Sequence, residues 1–177
     1  MKKSLNFIAK NFGLYLGITL TVLMILAYII NLDLFVNFWY GISIYLIVIV
    51  FGIITMVKTK INFNGFLSFK DAFTSYFITI LVGLVLSSLA SYLLFNFIDT
   101  DAADVLKEKS IERMVEVFKT MKKSAEEIET TVNKAKSENL YSISNVFQGL
   151  IFNYLLPICI IGLLVSAAMQ KSKPDTK

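Results

Sequence analysis

Four stretches of this chain contain no Asp, Glu, Lys or Arg, and they constrain what it can fold into more than any other feature. They cover residues 11–32, 34–57, 72–98 and 139–170, with lengths of 22, 24, 27 and 32 residues, together 105 of 177. A helix needs ~20 mostly apolar residues to cross the ~30 Å hydrocarbon core of a bilayer. Each stretch can therefore cross once, and even the longest is too short to cross twice. Only 17% of the residues are charged, against about 25% in soluble domains. These facts exclude a soluble globular enzyme, a secreted disulfide scaffold and a disordered tail. The expected fold is all-α, an integral membrane four-helix bundle.

The charges between the stretches predict the topology. The net charge is +4, but the basic residues flank the apolar stretches and form no stripe of the kind that tracks nucleic acid. The partner implied is the lipid bilayer, with no nucleic acid. Lys2, Lys3 and Lys10 precede the first stretch, Lys58, Lys60 and Lys70 separate the second from the third, and Lys171, Lys173 and Lys177 follow the fourth. The opposite side carries Asp33 and a long connection, residues 99–138, with eight basic and ten acidic residues. The positive-inside rule places both termini and the 58–71 loop in the cytoplasm. The first apolar run is longer than the ~7–15 residues of a signal-peptide core, and no small-residue cleavage site follows it. A retained first helix is expected.

The chain divides into residues 1–98, three transmembrane helices with short loops, then 99–138, an extracytoplasmic amphipathic segment. Residues 139–177 form the fourth transmembrane helix and a short basic cytoplasmic tail. Trp39 and Tyr40 suit a membrane–water boundary. Gly65 marks a turn, and Ser68-Phe69-Lys70-Asp71 is a capping-box variant that starts the third helix. In the amphipathic segment Ile111, Met114, Phe118, Met121, Ala125, Ile128, Val132 and Ala135 follow steps of three and four, one apolar stripe on a charged helix. A single straight helix over 104–136 would be ~50 Å long. The eight or so residues left before the fourth helix could return at most ~28 Å. The segment must fold back, and Ser124-Ala125-Glu126-Glu127 is a capping box placed just after Lys122 and Lys123. The prediction is a helical hairpin, 101 to about 123 and then 124 to about 138.

The spans hold no ionisable residue away from their ends, which speaks against a coupled transporter built on a buried carboxylate. There is no His, and the lone Cys159 has no second thiol to pair with, so neither a disulfide nor a zinc site is expected. No nucleophile-elbow, zincin, phosphate-loop or dinucleotide motif is present. No catalytic, cofactor-binding or metal residue is expected, and the chain reads as a non-enzyme. Small residues are spaced by four on three helices: Gly13 and Gly17, then Thr79, Gly83, Ser87 and Ser91, then Gly162 and Ser166. Such faces let helix backbones approach, either within one chain or between two copies. Asn96 and Asn145 are expected near the interface, and Gln148 and Asn153 could bond across helices. Pro157 lacks an amide proton, so the fourth helix should kink there and free the carbonyl of Asn153. Gly149, Asn153 and Pro157 would then form a locally wet point.

At Gly13-Leu14-Tyr15-Leu16-Gly17 and at Gly65-Phe66-Leu67-Ser68-Phe69-Lys70-Asp71-Ala72-Phe73 the chain resembles a domain-of-unknown-function family of small bacterial membrane proteins, found mainly in the Bacteroidota. Ser124-Ala125-Glu126-Glu127-Ile128-Glu129 is similar to that family's Ser-x-Glu-Glu-Ile element. The resemblance implies four spans and an inner-membrane location, and it transfers no catalytic residue. The functional expectation is a structural or protein-interaction role carried by the hairpin, through a protein partner or self-association. Met114, Phe118, Met121, Ile128 and Val132 form the candidate surface, unless they pack the hairpin against itself. The alternative is a subunit of a channel or transporter formed by oligomerisation, its path lined by Ser87, Ser91 and Asn153.

Overall fold

The computed structural model describes residues 2–139 and 141–171; the expected tail lysines Lys173 and Lys177 lie outside them. The order is α1 (Lys2–Ile30), a 3-10 turn (Leu32–Val36), α2 (Phe38–Asn62), α3 (Phe69–Leu93) and a π-turn (Leu94–Ile98). Then come α4 (Thr100–Thr120), α5 (Ala125–Ser137), α6 (Ile143–Gln148), a second π-turn (Gly149–Leu155) and α7 (Leu156–Met169). The fold is all-α. Four helical spans are long and apolar enough to cross a membrane, Lys3–Ile30, Phe38–Asn62, Phe69–Ile98 and Ile143–Met169, and two shorter helices separate the third from the fourth.

Helix starts follow the caps that the sequence offers. Asn37 accepts hydrogen bonds from the amides of Trp39 and Tyr40 to open α2. Ser68 accepts from the amide of Asp71 and donates its own hydroxyl to the Asp71 carboxylate at 2.7 Å. Ser124 and Glu127 form the complete capping box of α5. Between α4 and α5 the chain reverses at Lys122, which adopts φ 56. The amides of Lys122 and Lys123 bond back to the carbonyls of Lys119 and Phe118, the Schellman pattern that more often uses glycine. The α2–α3 loop repeats it, with Asn64 at φ 55 and Gly65 at φ 84.

α3 is the central helix, packed on α1, α2 and α7. In a bilayer, lipid tails are as apolar as leucine, so association depends on close packing and on bonds between helices. The α1–α3 seam rests on small residues. A Cβ on Gly13 would come within 2.7 Å of the Val82 side chain, and one on Gly83 within 2.6 Å of Leu16. At Gly17 the obstruction is Leu86, also at 2.6 Å. A second seam is built around Tyr76 of α3, which is completely buried. Its ring fills the space where a Cβ on Gly52 (2.3 Å) or on Gly162 (2.4 Å) would lie, so it is held between α2 and α7. The Tyr76 hydroxyl donates to the carbonyl of Ile158 at 3.3 Å. Nearby the buried hydroxyl of Thr79 lies 3.1 Å from both the Ala9 carbonyl on α1 and the Thr55 hydroxyl on α2. Three helices meet there through oxygen atoms.

At the lysine-bearing end the α2–α3 loop clasps the end of α7. Leu67 and Lys171 exchange backbone hydrogen bonds of 3.0 and 2.8 Å, and the Lys60 ammonium donates to the carbonyl of Met169 at 2.9 Å. Because the Tyr76 ring is rigid and enclosed, Gly52→Ala and Gly162→Ala should each destabilise the bundle by about 2 kcal/mol through overpacking. At Gly41 an added Cβ would meet nothing within 4 Å, so alanine should be tolerated there without loss. Unfolding of the purified variants in mild detergent, read by circular dichroism, checks the contrast.

Candidate functional site

Two regions depart from plain helix packing, the broken fourth span and the hairpin. The fourth stretch is one helical span, Ile143–Met169, and its disturbance ahead of Pro157 takes the form of a π-turn. It begins at Ile143, capped by Ser142, whose hydroxyl accepts from the amide of Asn145. It then widens into the π-turn, where the amide of Leu156 reaches back five residues to the carbonyl of Ile151. The cause is Pro157, the next residue, which has no amide proton to continue the ladder. π-turns of this kind often mark functional sites. The carbonyl of Asn153, which an ordinary residue at 157 would bond, accepts instead from the hydroxyl of Tyr45 on α2. The rings of Tyr45 and Tyr154 stack at 5.4 Å. A tyrosine, not the expected wet point, takes up the freed group. Gln148 bonds Ser144 within its own helix and does not reach across.

The wider turn leaves space behind it. A cavity of about 300 Å3 lies between α1, α2, α3 and the π-turn, in the half of the bundle nearest the hairpin. Ser87, Ser88 and Ser91 line it from α3, with Leu20, Leu84 and Leu150 among its apolar walls. Gly149 borders it, while Gly13, Gly17 and Gly83 belong to the α1–α3 seam below.

The hairpin is fastened at its base. Leu106 (1% exposed) and Phe95 (2% exposed) anchor a second core with Met24, Leu94 and Ala102. Phe95 stacks on Tyr141 at 4.4 Å and meets Phe35 edge-on at 5.8 Å. The amide group of Asn96 donates to the carbonyl of Tyr141 at 3.0 Å, which ties the entry of the fourth span to the end of the third. Asp99 accepts from the hydroxyl of Tyr28 at 2.6 Å and from the amide of Ala102 at 2.9 Å. These donors, the tyrosine first, hold its carboxyl below the usual carboxylate range. Asp33 in the α1–α2 connection pairs with Lys109 on α4, and the pair lowers the aspartate's pKa and raises the lysine's. Burial pushes the Tyr141 phenol upward.

Beyond this base the hairpin touches mainly itself. α5 packs on α4 and contains no buried residue. Met114, Phe118, Ile128 and Val132 are half-buried, whereas Met121 at the turn is 63% exposed. Sequence reading did not find Tyr28, Tyr45, Tyr76 or Tyr141. Their one visible signal was a polar atom on a large ring at a span position, where a buried hydroxyl needs a partner. Among the described residues no group of three or more His, Cys, Asp or Glu is placed to hold a metal ion.

One family model matches the chain, over residues 11–171, with the description "Protein of unknown function (DUF4199)". No curated protein and no solved structure matches it.

The Tyr45 bond gives a measurable pair. Tyr45→Phe should cost about 1 kcal/mol, as expected for an interhelical hydrogen bond in a bilayer. In a Pro157→Ala background the cost should fall, because the restored amide can bond the Asn153 carbonyl. A double-mutant cycle of unfolding free energies reads the difference.

Proposed function

The chain belongs to the DUF4199 family, and for it we propose a non-enzymatic, multi-pass protein of the inner (cytoplasmic) membrane whose hairpin is a protein-interaction element on the outer face. The observation that carries this reading is the contrast between the two ends of the hairpin. Its base is locked to the bundle by the Tyr28–Asp99 bond, the Asp33–Lys109 pair and the Leu106 core. Its far end, with exposed Met121 and the unburied α5, contributes nothing to that core. An element held rigidly and presented outward suits contact with a protein partner or a second copy, and the exposed thioether of Met121 adapts to varied surfaces.

The orientation rests on the lysines at the opposite end. Lys3, Lys10, Lys58, Lys60, Lys70 and Lys171 all border that end of the spans, and short basic segments stay in the cytoplasm. The channel or transporter-subunit reading draws on the cavity beside Ser87 and Ser91. Against it, the opposite half of the bundle is filled by Met56, Tyr76, Ile80 and Ile158, all 0% exposed. A path would have to run between copies.

Orientation is checked in intact cells with Cys159→Ala, Glu129→Cys: a membrane-impermeant maleimide should label the new thiol without permeabilisation. Labelling only after permeabilisation would reverse the topology. For the role, residues 115–130 are replaced by a short Gly-Ser turn, which leaves the base in place. Crosslinking in the native membrane should then lose the adducts that the full chain forms. Undiminished adducts from a folded, shortened chain would remove the hairpin from the reading.

A further inference from the structure

The attitude of the hairpin follows from where its first helix is pinned. Large apolar side chains stay exposed up to this end of all four spans, at Ile30, Phe38, Ile98 and Ile143. They mark the level that lipid tails reach, and exposed Trp39 stands there in the boundary position that aromatic rings favour. α4 starts at Thr100, just beyond Ile98. Ala102, Leu106, Lys109 and Arg113 then follow on one of its faces in steps of four, three and four. Ala102 and Leu106 are buried with Met24 and Phe95, Lys109 pairs with Asp33, and Arg113 borders a hollow with Phe38 and Trp39. Thr100 and Arg113 are ~20 Å apart along the helix axis, yet both stand beside residues of the boundary level. A helix rising along the membrane normal would carry Arg113 ~20 Å clear of that level, farther than its side chain can reach back. α4 therefore runs across the end of the bundle, parallel to the membrane plane.

We propose that the underside of α4 beds on the phospholipid headgroups beside α2, with the Arg113 guanidinium bonding the phosphate of a zwitterionic lipid of the phosphatidylethanolamine type. Beyond Arg113 the same face continues through Glu116, Val117 and Thr120, all exposed, as in helices that lie in the interface. α5 packs on the other side: Ile111, which shares a groove with Val132 and Lys136, stands about 170° round α4 from the pinned face. Arg113 is the chain's one arginine. Of its five N–H donors, one goes to Glu116 at 2.8 Å and the others bond no described residue. A guanidinium fork matches phosphate oxygens in pairs, which a lysine cannot do. Around the hollow Lys109 and Arg113 are balanced by Asp33 and Glu116, which suits a headgroup carrying both signs better than an anionic one. The Asp33 carboxylate and the Trp39 ring border the same hollow and suit the lipid's ammonium. The inference holds whichever leaflet the hairpin meets, and it leaves α5 as the outward side for a protein partner.

The test uses the full chain with Cys159→Ala in nanodiscs of phosphatidylethanolamine and phosphatidylcholine. Nitroxide labels are placed singly at Val117→Cys, Thr120→Cys and Thr130→Cys, all exposed positions. Their depth is read by power saturation against oxygen and a water-soluble nickel complex. The labels at 117 and 120 should lie near the phosphate level and collide with nickel several-fold less than the label at 130, which stands on α5 opposite Ile128 and Val132. Equal nickel access at the three positions would overturn the flat placement. Native mass spectrometry with added lipid reads the phosphate contact. Arg113→Gln should weaken phosphatidylethanolamine binding about tenfold, the scale of one lost charge-assisted hydrogen bond, and Arg113→Lys should restore part of it. Binding unchanged in Arg113→Gln, or phosphatidylglycerol held more tightly than phosphatidylethanolamine, would overturn the headgroup assignment.

Discussion

A helix bundle in lipid has to find its cohesion where water offers none, and here it is found at Tyr76. Burying leucine against leucine gains little when the alternative is leucine against an acyl chain. What does gain is close approach combined with satisfied polar groups. Tyr76 provides both: its ring occupies the notches left by Gly52 and Gly162, and its hydroxyl reaches the backbone of α7 at Ile158. The α1–α3 seam uses the same device without the aromatic, with Gly13 and Gly17 meeting Val82 and Leu86. The glycines on both seams are thereby occupied within one chain.

The two ends of the molecule obey different solvents. At the hairpin end water is near, and burying a side chain such as Leu106 contributes roughly 2 kcal/mol. An aromatic cluster around Phe95 can therefore form a core there, with Asp99 and Asp33 keeping their charges by pairing at its margin. In the span interior, charge is absent and every freed backbone carbonyl must be bonded by protein. The break before Pro157 shows how this is met, since Tyr45 supplies the donor that residue 157 lacks. Because the break widens the helix, the same solution leaves the cavity beside Ser87 and Ser91.

Much of the fold was legible because it depends on local chemistry. The spans follow from uncharged length, and the hairpin from a length argument joined to the Ser124–Glu127 capping box. The reversal at Lys122 was less visible, since lysine rarely takes a positive φ; it does so here where the chain must turn between two paired helices. The apolar stripe through Met114 and Val132 was readable as a stripe, but not as a surface or a core. Periodicity reports one face of a helix and is silent about what covers it. The structure leaves most of that stripe half-buried on two helices that pack on each other, with Met121 and Ala125 exposed.

The sequence by itself determined the number of spans, the positions of the caps and the disruption at Pro157, since each depends on residues within a few positions of one another. Only the tertiary structure decided which hydroxyl would take the carbonyl of Asn153, which glycines would flank Tyr76, and that Asp99 would meet Tyr28. Those partners lie 71 to 108 residues apart where bonded side chains are concerned. Such pairings depend on how four helices rotate about their axes. That rotation is set by side-chain shape across the whole bundle and leaves no trace in local spacing.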